Sequence, residues 1–156
     1  MPDVPDFATI VAQSPDATIF AGTDGIIRVW NAAAERVFGY AVGEAIGQDL
    51  NIIIPERFRE QHWAGFDRAI GEGRTKYEGR FLPTRALRKD GSQIYIEMGF
   101  AIVVIDGTTV GAMATARDIT ERFERERADR QKLRELQEQL EAAGQRSGVQ
   151  PGDAGG

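Results

Sequence analysis

The sequence predicts an α+β fold: an antiparallel five-stranded sheet with short helices on one face, followed by a charged C-terminal helix that forms a short coiled coil. Three observations predict it. Two β-branched runs flank an Asp-Gly turn near the N-terminus. Three longer extended runs, reversed at two further Asp-Gly turns, close the domain. The stretch between these two groups is helix-forming. Sheet hairpins at both ends with helices between them put the helices on one sheet face, and leave a cavity between that face and the longest helix.

Residues 1–6 read as a tail. Phe7 to Gln13 is a short apolar-periodic helix, stopped by Ser14-Pro15-Asp16. Ala17 to Ala21 and Ile26 to Trp30 form a hairpin around Thr23-Asp24-Gly25. Asn31 is a good N-cap for the helix former Ala32 to Phe38, and Gly39 stands at its stop. Gly43 to Gly47 and Asp49 to Ile54 read as two short helical turns. Pro55 opens a longer helix to Ile70, ended by Gly71-Glu72-Gly73. Thr75 to Leu87, Gln93 to Val104 and Thr108 to Ile119 are extended, with reversals at Asp90-Gly91 and Asp106-Gly107.

The character changes after Thr120. Residues 121–143 are charged, lack Gly and Pro, and carry Leu133, Leu136, Leu140 and Ala143 at the 3-4-3 spacing of a coiled-coil seam. The seam covers only about two heptads. Residues 144–156 read as a disordered tail. The expected organisation is a domain over 7–120 and a helical segment over 121–143.

Composition excludes several classes. A net charge of -5 leaves no basic footprint for nucleic acid. The absence of cysteine removes disulfides, thiolate metal sites and cysteine nucleophiles. With one histidine, no phosphate loop and no metal-ligand spacing, the chain does not read as an enzyme. The N-terminus lacks the basic and apolar regions of a signal peptide, and no run approaches the ~18 apolar residues that cross a bilayer. The expectation is a cytoplasmic protein with no membrane or nucleic-acid partner.

Several motifs then fall into one order: Pro15-Asp16-Ala17, Asp24-Gly25-Ile26-Ile27, Trp30-Asn31-Ala32-Ala33-Ala34-Glu35, Phe38-Gly39-Tyr40, Glu44-Ala45-Ile46-Gly47, Arg88-Lys89-Asp90-Gly91-Ser92 and Arg117-Asp118-Ile119-Thr120. In this order, from about Phe7 to Thr120, the sequence resembles the PAS family. The resemblance implies a sensory module that binds a small ligand or cofactor in its cavity, or dimerises. It implies that Asp118, Ile119 and Thr120 pass the signal to the exit helix. Asp118 reads equally as a latch to a basic residue and as a cap for that helix. No kinase, cyclase or DNA-binding sequence follows, a departure that points to a homodimer or to an effector protein in trans. Without cysteine, the flavin adduct of LOV domains and the thioester chromophore of yellow-protein photoreceptors are both excluded.

The single histidine, His62, shares a helical face with Phe58, Phe66 and Ile70. That face demands burial, so His62 points toward the core or its cavity. A neutral imidazole on an apolar wall suits an axial haem ligand. The segment is similar to the haem-bearing helix of FixL-type oxygen sensors. That similarity implies b-type haem for gas sensing, with His62 as the iron ligand. It also implies Arg68 at a propionate, Arg80 of Gly79-Arg80 as the distal arginine, and Met98 and Phe100 over the distal side. The Gly-Arg pair comes two residues earlier than in those sensors. The other readings of His62 are a core histidine in a domain with an unknown organic ligand, or with none. Trp30 and Trp63 read as packing residues before pocket residues, and Arg85, Arg88 and Lys89 as a solvated turn before an anion site. The alternative function is a ligand-free dimerisation or scaffold module, built on Phe7, Ile10, Val11 and the leucine seam.

Overall fold

A computed structural model describes residues 4–148. They fall into two compact units, one ending at Ile119 and the other beginning at Thr120. In the first unit, α1 (Phe7–Ala12) precedes the strands β1 (Ala17–Gly22) and β2 (Ile27–Trp30). The helices α2 (Ala32–Phe38) and α3 (Val42–Ala45), a 3-10 turn (Leu50–Ile53) and α4 (Glu56–Glu72) follow. The strands β3 (Phe81–Leu87), β4 (Gln93–Ile105) and β5 (Thr108–Asp118) complete it. The second unit is one helix, α5 (Thr120–Ser147).

The strands form one five-stranded sheet in the order β2-β1-β5-β4-β3. Every pairing is antiparallel. Strand alternation sends Ala17, Ile19 and Ala21 of β1, Ile94, Ile96 and Met98 of β4, and Ala116 of β5 into the core. Phe38 is fully buried beneath this layer, and Trp30 packs on it with ring centroids 5.4 Å apart.

Asn31 holds the N-terminal half together. Its Oδ1 accepts from Ala34 N as the N-cap of α2, and from Thr18 N of β1. Its Nδ2 donates to Val11 O of α1 and to Asp16 O. One buried side chain therefore fixes the first helix, the first strand and the second helix, because each of these backbone groups would otherwise need a partner of its own.

The structure corrects four expected boundaries. β3 begins at Phe81 and not at Thr75. Residues 75–80 make turns instead, with Glu78 N donating to Thr75 O and Arg80 N to Tyr77 O, and Gly79 takes φ 71°. The run Lys76-Tyr77-Glu78-Gly79 lacks β-branched residues and contains the glycine that such a turn requires. α4 runs two residues past Ile70, and the stop falls at Gly73, which is left-handed at φ 68°. α5 starts at Thr120, one residue early, and continues through Gly144 to Ser147. Gln145 and Arg146 are good helix formers, so one glycine does not end it. The rest of the expected tail, residues 149–156, lies outside the described residues, as do residues 1–3.

Asn31→Ala removes all four bonds and leaves buried backbone groups unpaired. It is expected to lower stability by about 2–4 kcal/mol in urea unfolding, with an unchanged denaturant slope.

Candidate functional site

The inner sheet face carries alanine at three successive inward positions of β5: Ala112, Ala114 and Ala116. Small side chains there, opposite the bulkier Ile102, Phe100 and Met98 of β4, leave space beneath α4. The result is a cavity of about 130 Å³. Ile19, Ile96, Met98, Phe100 and Ala114 line it from the sheet. Phe58 and His62, one turn apart on α4, line it from the helix. Leu50, Ile53 and Ile54 close one side, and the β3 edge at Thr84 to Ala86 borders the other.

α4 is clamped over this space by polar contacts at its N-terminal half. Arg59 donates to Ile54 O and Asn51 O, and Trp63 Nε1 donates to Asn51 Oδ1 at 2.9 Å. The Trp63 ring lies against Gly25, whose φ of 75° and missing Cβ are both required, since any Cβ there would collide with the indole. Trp63 therefore packs outside the cavity. So does Trp30, which donates to Tyr40 O at 3.0 Å.

His62 is the chemically distinct group on the wall. Its ring stands edge-on to Trp63 at 5.0 Å and roughly parallel to Phe66 at 6.1 Å. Its Nδ1 is buried and has no hydrogen-bond partner. Burial among these aromatic and aliphatic groups pushes its pKa down, so the imidazole is neutral at physiological pH. A buried ring nitrogen without a partner is rare in folded proteins, and a ligand or water is the usual answer to it.

The structure brings together three of the five residues expected at a cofactor: His62, Met98 and Phe100. Arg68 and Arg80 are exposed and line no part of the cavity. Arg68 lies on the outer side of α4, and Arg80 belongs to the turn before β3. Arg85, grouped in the sequence with Arg88 and Lys89 beside a turn, stands on β3 within the extended run expected up to Leu87. Its guanidinium covers the Tyr95 ring at 5.3 Å on the other sheet face, so its backbone is what borders the cavity. Arg88 and Lys89 do sit in the turn. Arg88 N donates to Ser92 O there, and Lys89 pairs with Glu44.

At the exit, Ile119 is buried and its N–H donates to Tyr95 O at 2.9 Å. Also at this end of β5, the Arg117 guanidinium donates to Asp16 through two bonds of 3.0 and 2.9 Å.

A porphyrin does not fit these residues. His62 supplies a neutral nitrogen, but the cavity falls below the ~300 Å³ at which small-molecule pockets begin. It is closer to the ~150 Å³ that holds one benzene. Arg68, implied at a propionate, and Arg80, implied as the distal arginine, lie elsewhere. Among the described residues no group of three or more His, Asp or Glu side chains could hold a metal ion, and no helix is long and apolar enough to cross a membrane.

A family profile described as the PAS fold matches residues 6–119. The chain belongs to the PAS family. It superposes on the PAS domain of a Colwellia psychrerythraea protein with a TM-score of 0.63 at 28% identity, covering 73% of this chain and 94% of that one. Over 138 residues it is 32% identical to the sensor protein FixL of Bradyrhizobium diazoefficiens, a match spanning 85% of this chain and 25% of FixL. Over 112 residues it is 26% identical to the oxygen sensor protein DosP of Escherichia coli K12, covering 72% of this chain and 14% of DosP. The chain thus spans a quarter or less of the length of these curated relatives. It is a PAS sensory domain with a helical extension.

A base with a lowered folded pKa contributes stability that is complete above its ordinary value of about 6.5 and lost as pH falls from there through the folded value. The stability of the protein should therefore decline as pH drops below 6.5. His62→Leu, which removes the unpaired nitrogen, should be at least as stable at pH 7 and should lose that part of the decline. Urea titrations of both proteins between pH 5 and 8 measure the difference.

Proposed function

We propose that this chain is a ligand-binding sensory module in which occupancy of the α4–sheet cavity is relayed through Asp118, Ile119 and Thr120 into α5. One observation supports it above the others. The same stretch of β4 faces the cavity and holds the exit. Ile96 lines the cavity and pairs with Asp118, and the neighbouring Tyr95 carbonyl accepts from Ile119 N. A ligand that displaces Ile96 acts on the last residues before α5 through one ladder rung. Such a ligand signals only if it binds the two exit states with different affinity.

The relay needs no catalytic step, and the chain's own residues perform it. The mainly apolar wall holds the ligand, His62 supplies one polar anchor, and the ladder carries the displacement. The similarity to proteins named as sensors supports the class of function, and the cavity supports a compact ligand. The reading does not run through haem.

A second reading is favoured by the exposed apolar residues. Leu133, Leu136 and Leu140 are 61%, 46% and 73% exposed on α5, and Phe7 and Ile10 of α1 are 86% and 48% exposed. These surfaces suit a homodimer or an effector bound in trans. Dimerisation and sensing are compatible, since a dimer gives the relay something to alter. Sedimentation of the full chain against Leu136→Asp should show a dimer becoming a monomer. A wild-type monomer at high micromolar concentration would end this second reading.

Ala114→Leu fills the cavity from the sheet side much as a ligand would. Thr115→Val, its neighbour on the opposite face, does not. Hydrogen exchange of residues 118–127 is expected to change in the first variant and not in the second. A folded Ala114→Leu protein with unaltered exchange there would contradict the relay.

A further inference from the structure

The cavity constrains the chemistry of its occupant in three independent ways. The first is size. At about 130 Å³, a little under the closed apolar cavity of ~150 Å³ that takes one benzene, it limits an occupant to about one six-membered ring, with any small substituent toward the open mouth. The second is charge. Among the described residues that line it there is no carboxylate to meet a cation. The Arg85 guanidinium, which could meet an anion, lies over Tyr95 on the opposite sheet face. His62 cannot serve as the missing cation, because its burial favours the neutral ring. A charged ligand would be buried without a counter-ion.

The third constraint is the pattern of polar groups. The wall carries the His62 imidazole, with Nδ1 buried and unpaired, and the hydroxyl of Thr84 at its β3 edge. In a neutral imidazole one nitrogen donates and the other accepts. A ligand hydroxyl can pair with an imidazole nitrogen turned to the cavity in either tautomer, since it both donates and accepts. A hydrocarbon leaves that nitrogen unpaired.

We propose that the cavity binds a neutral monocyclic molecule bearing one hydroxyl, of the phenol class, with the hydroxyl hydrogen-bonded to His62. Ile96, Met98 and Phe100 clasp the ring from the sheet and Phe58 clasps it from α4. His62 is the specificity-determining residue, and it distinguishes the hydroxylated ring from the bare one. This inference rests on the ligand-binding reading above and names the ligand class of that same cavity.

Isothermal titration of the full chain with phenol, benzene, benzoate and hemin tests it. Phenol is expected to bind at one site per chain, about tenfold more tightly than benzene, which is the worth of one net hydrogen bond. Benzoate is expected not to bind. His62→Leu should bring phenol down to the affinity of benzene and leave benzene unaffected, and Ala114→Leu should abolish both. The proposal is overturned if phenol fails to bind, if benzoate binds as well as phenol, or if hemin binds one to one with a Soret band that His62→Leu removes. Hydrogen exchange of residues 118–127, recorded with saturating phenol, separates the two ideas. Phenol bound without any change there upholds the ligand class and sinks the relay. A His62-dependent hemin complex that does change it overturns the ligand class and leaves the sensory reading standing.

Discussion

In the β4–β5 ladder Ile96 pairs with Asp118, Met98 with Ala116 and Phe100 with Ala114. This register decides which side chains reach the cavity and which meet solvent. A slip of one residue would exchange every one of them, because side chains alternate between faces. Glu97, Thr115 and Arg117 would enter the core, and Met98, Phe100 and Ala114 would leave it. Burying those charges would cost far more than any turn preference could supply. The same register sets Ile119 N against Tyr95 O, so the cavity wall and the exit to α5 are specified together.

Against this consistent frame His62 is the exception. The buried polar side chains Asn31 and Thr18 are both satisfied: Asn31 makes four hydrogen bonds to backbone groups, and the Thr18 hydroxyl donates to Asp16 O. His62 stands on the cavity wall with Nδ1 unpaired. Local rules broken at one place in an otherwise consistent structure mark a site where something besides stability is being served. The small side chains of β5 point the same way, since a larger residue at Ala114 would close the space and gain apolar contact. The domain forgoes packing and one hydrogen bond at a single location.

Much of this was legible in the sequence, for physical reasons. The Asp-Gly turns, the Asn31 cap and the glycine stops are local signals, and they placed ten of the elements close to where they stand. The four-residue spacing of Phe58, His62, Phe66 and Ile70 showed that His62 faces inward. The cavity's other walls depend on long-range pairing. That Ile19 lies beside Ala114, and Thr84 across from Ile96, follows from strand register and from nothing within either segment. Arg68 and Arg80 were placed at a cofactor by resemblance, and Arg80 fell short because residues 75–80 turn where an extended strand was expected. Arg85 fell within the extended run expected to end at Leu87, and β3 does end there, but only strand register shows its side chain over Tyr95 on the outer face. The size of the cavity is the sum of many side-chain volumes, and no motif encodes it.

The central claim is that His62 is neutral and that its imidazole, on the wall of this cavity, pairs with a ligand hydroxyl. As the only histidine in the chain it gives a single imidazole signal, so nitrogen-15 NMR of that ring, followed against pH with and without phenol, tests the claim most directly. The account predicts a ring that titrates below pH 6.5 and nitrogen shifts that move when phenol is added. An ordinary titration near 6.5, with shifts indifferent to phenol, would contradict it.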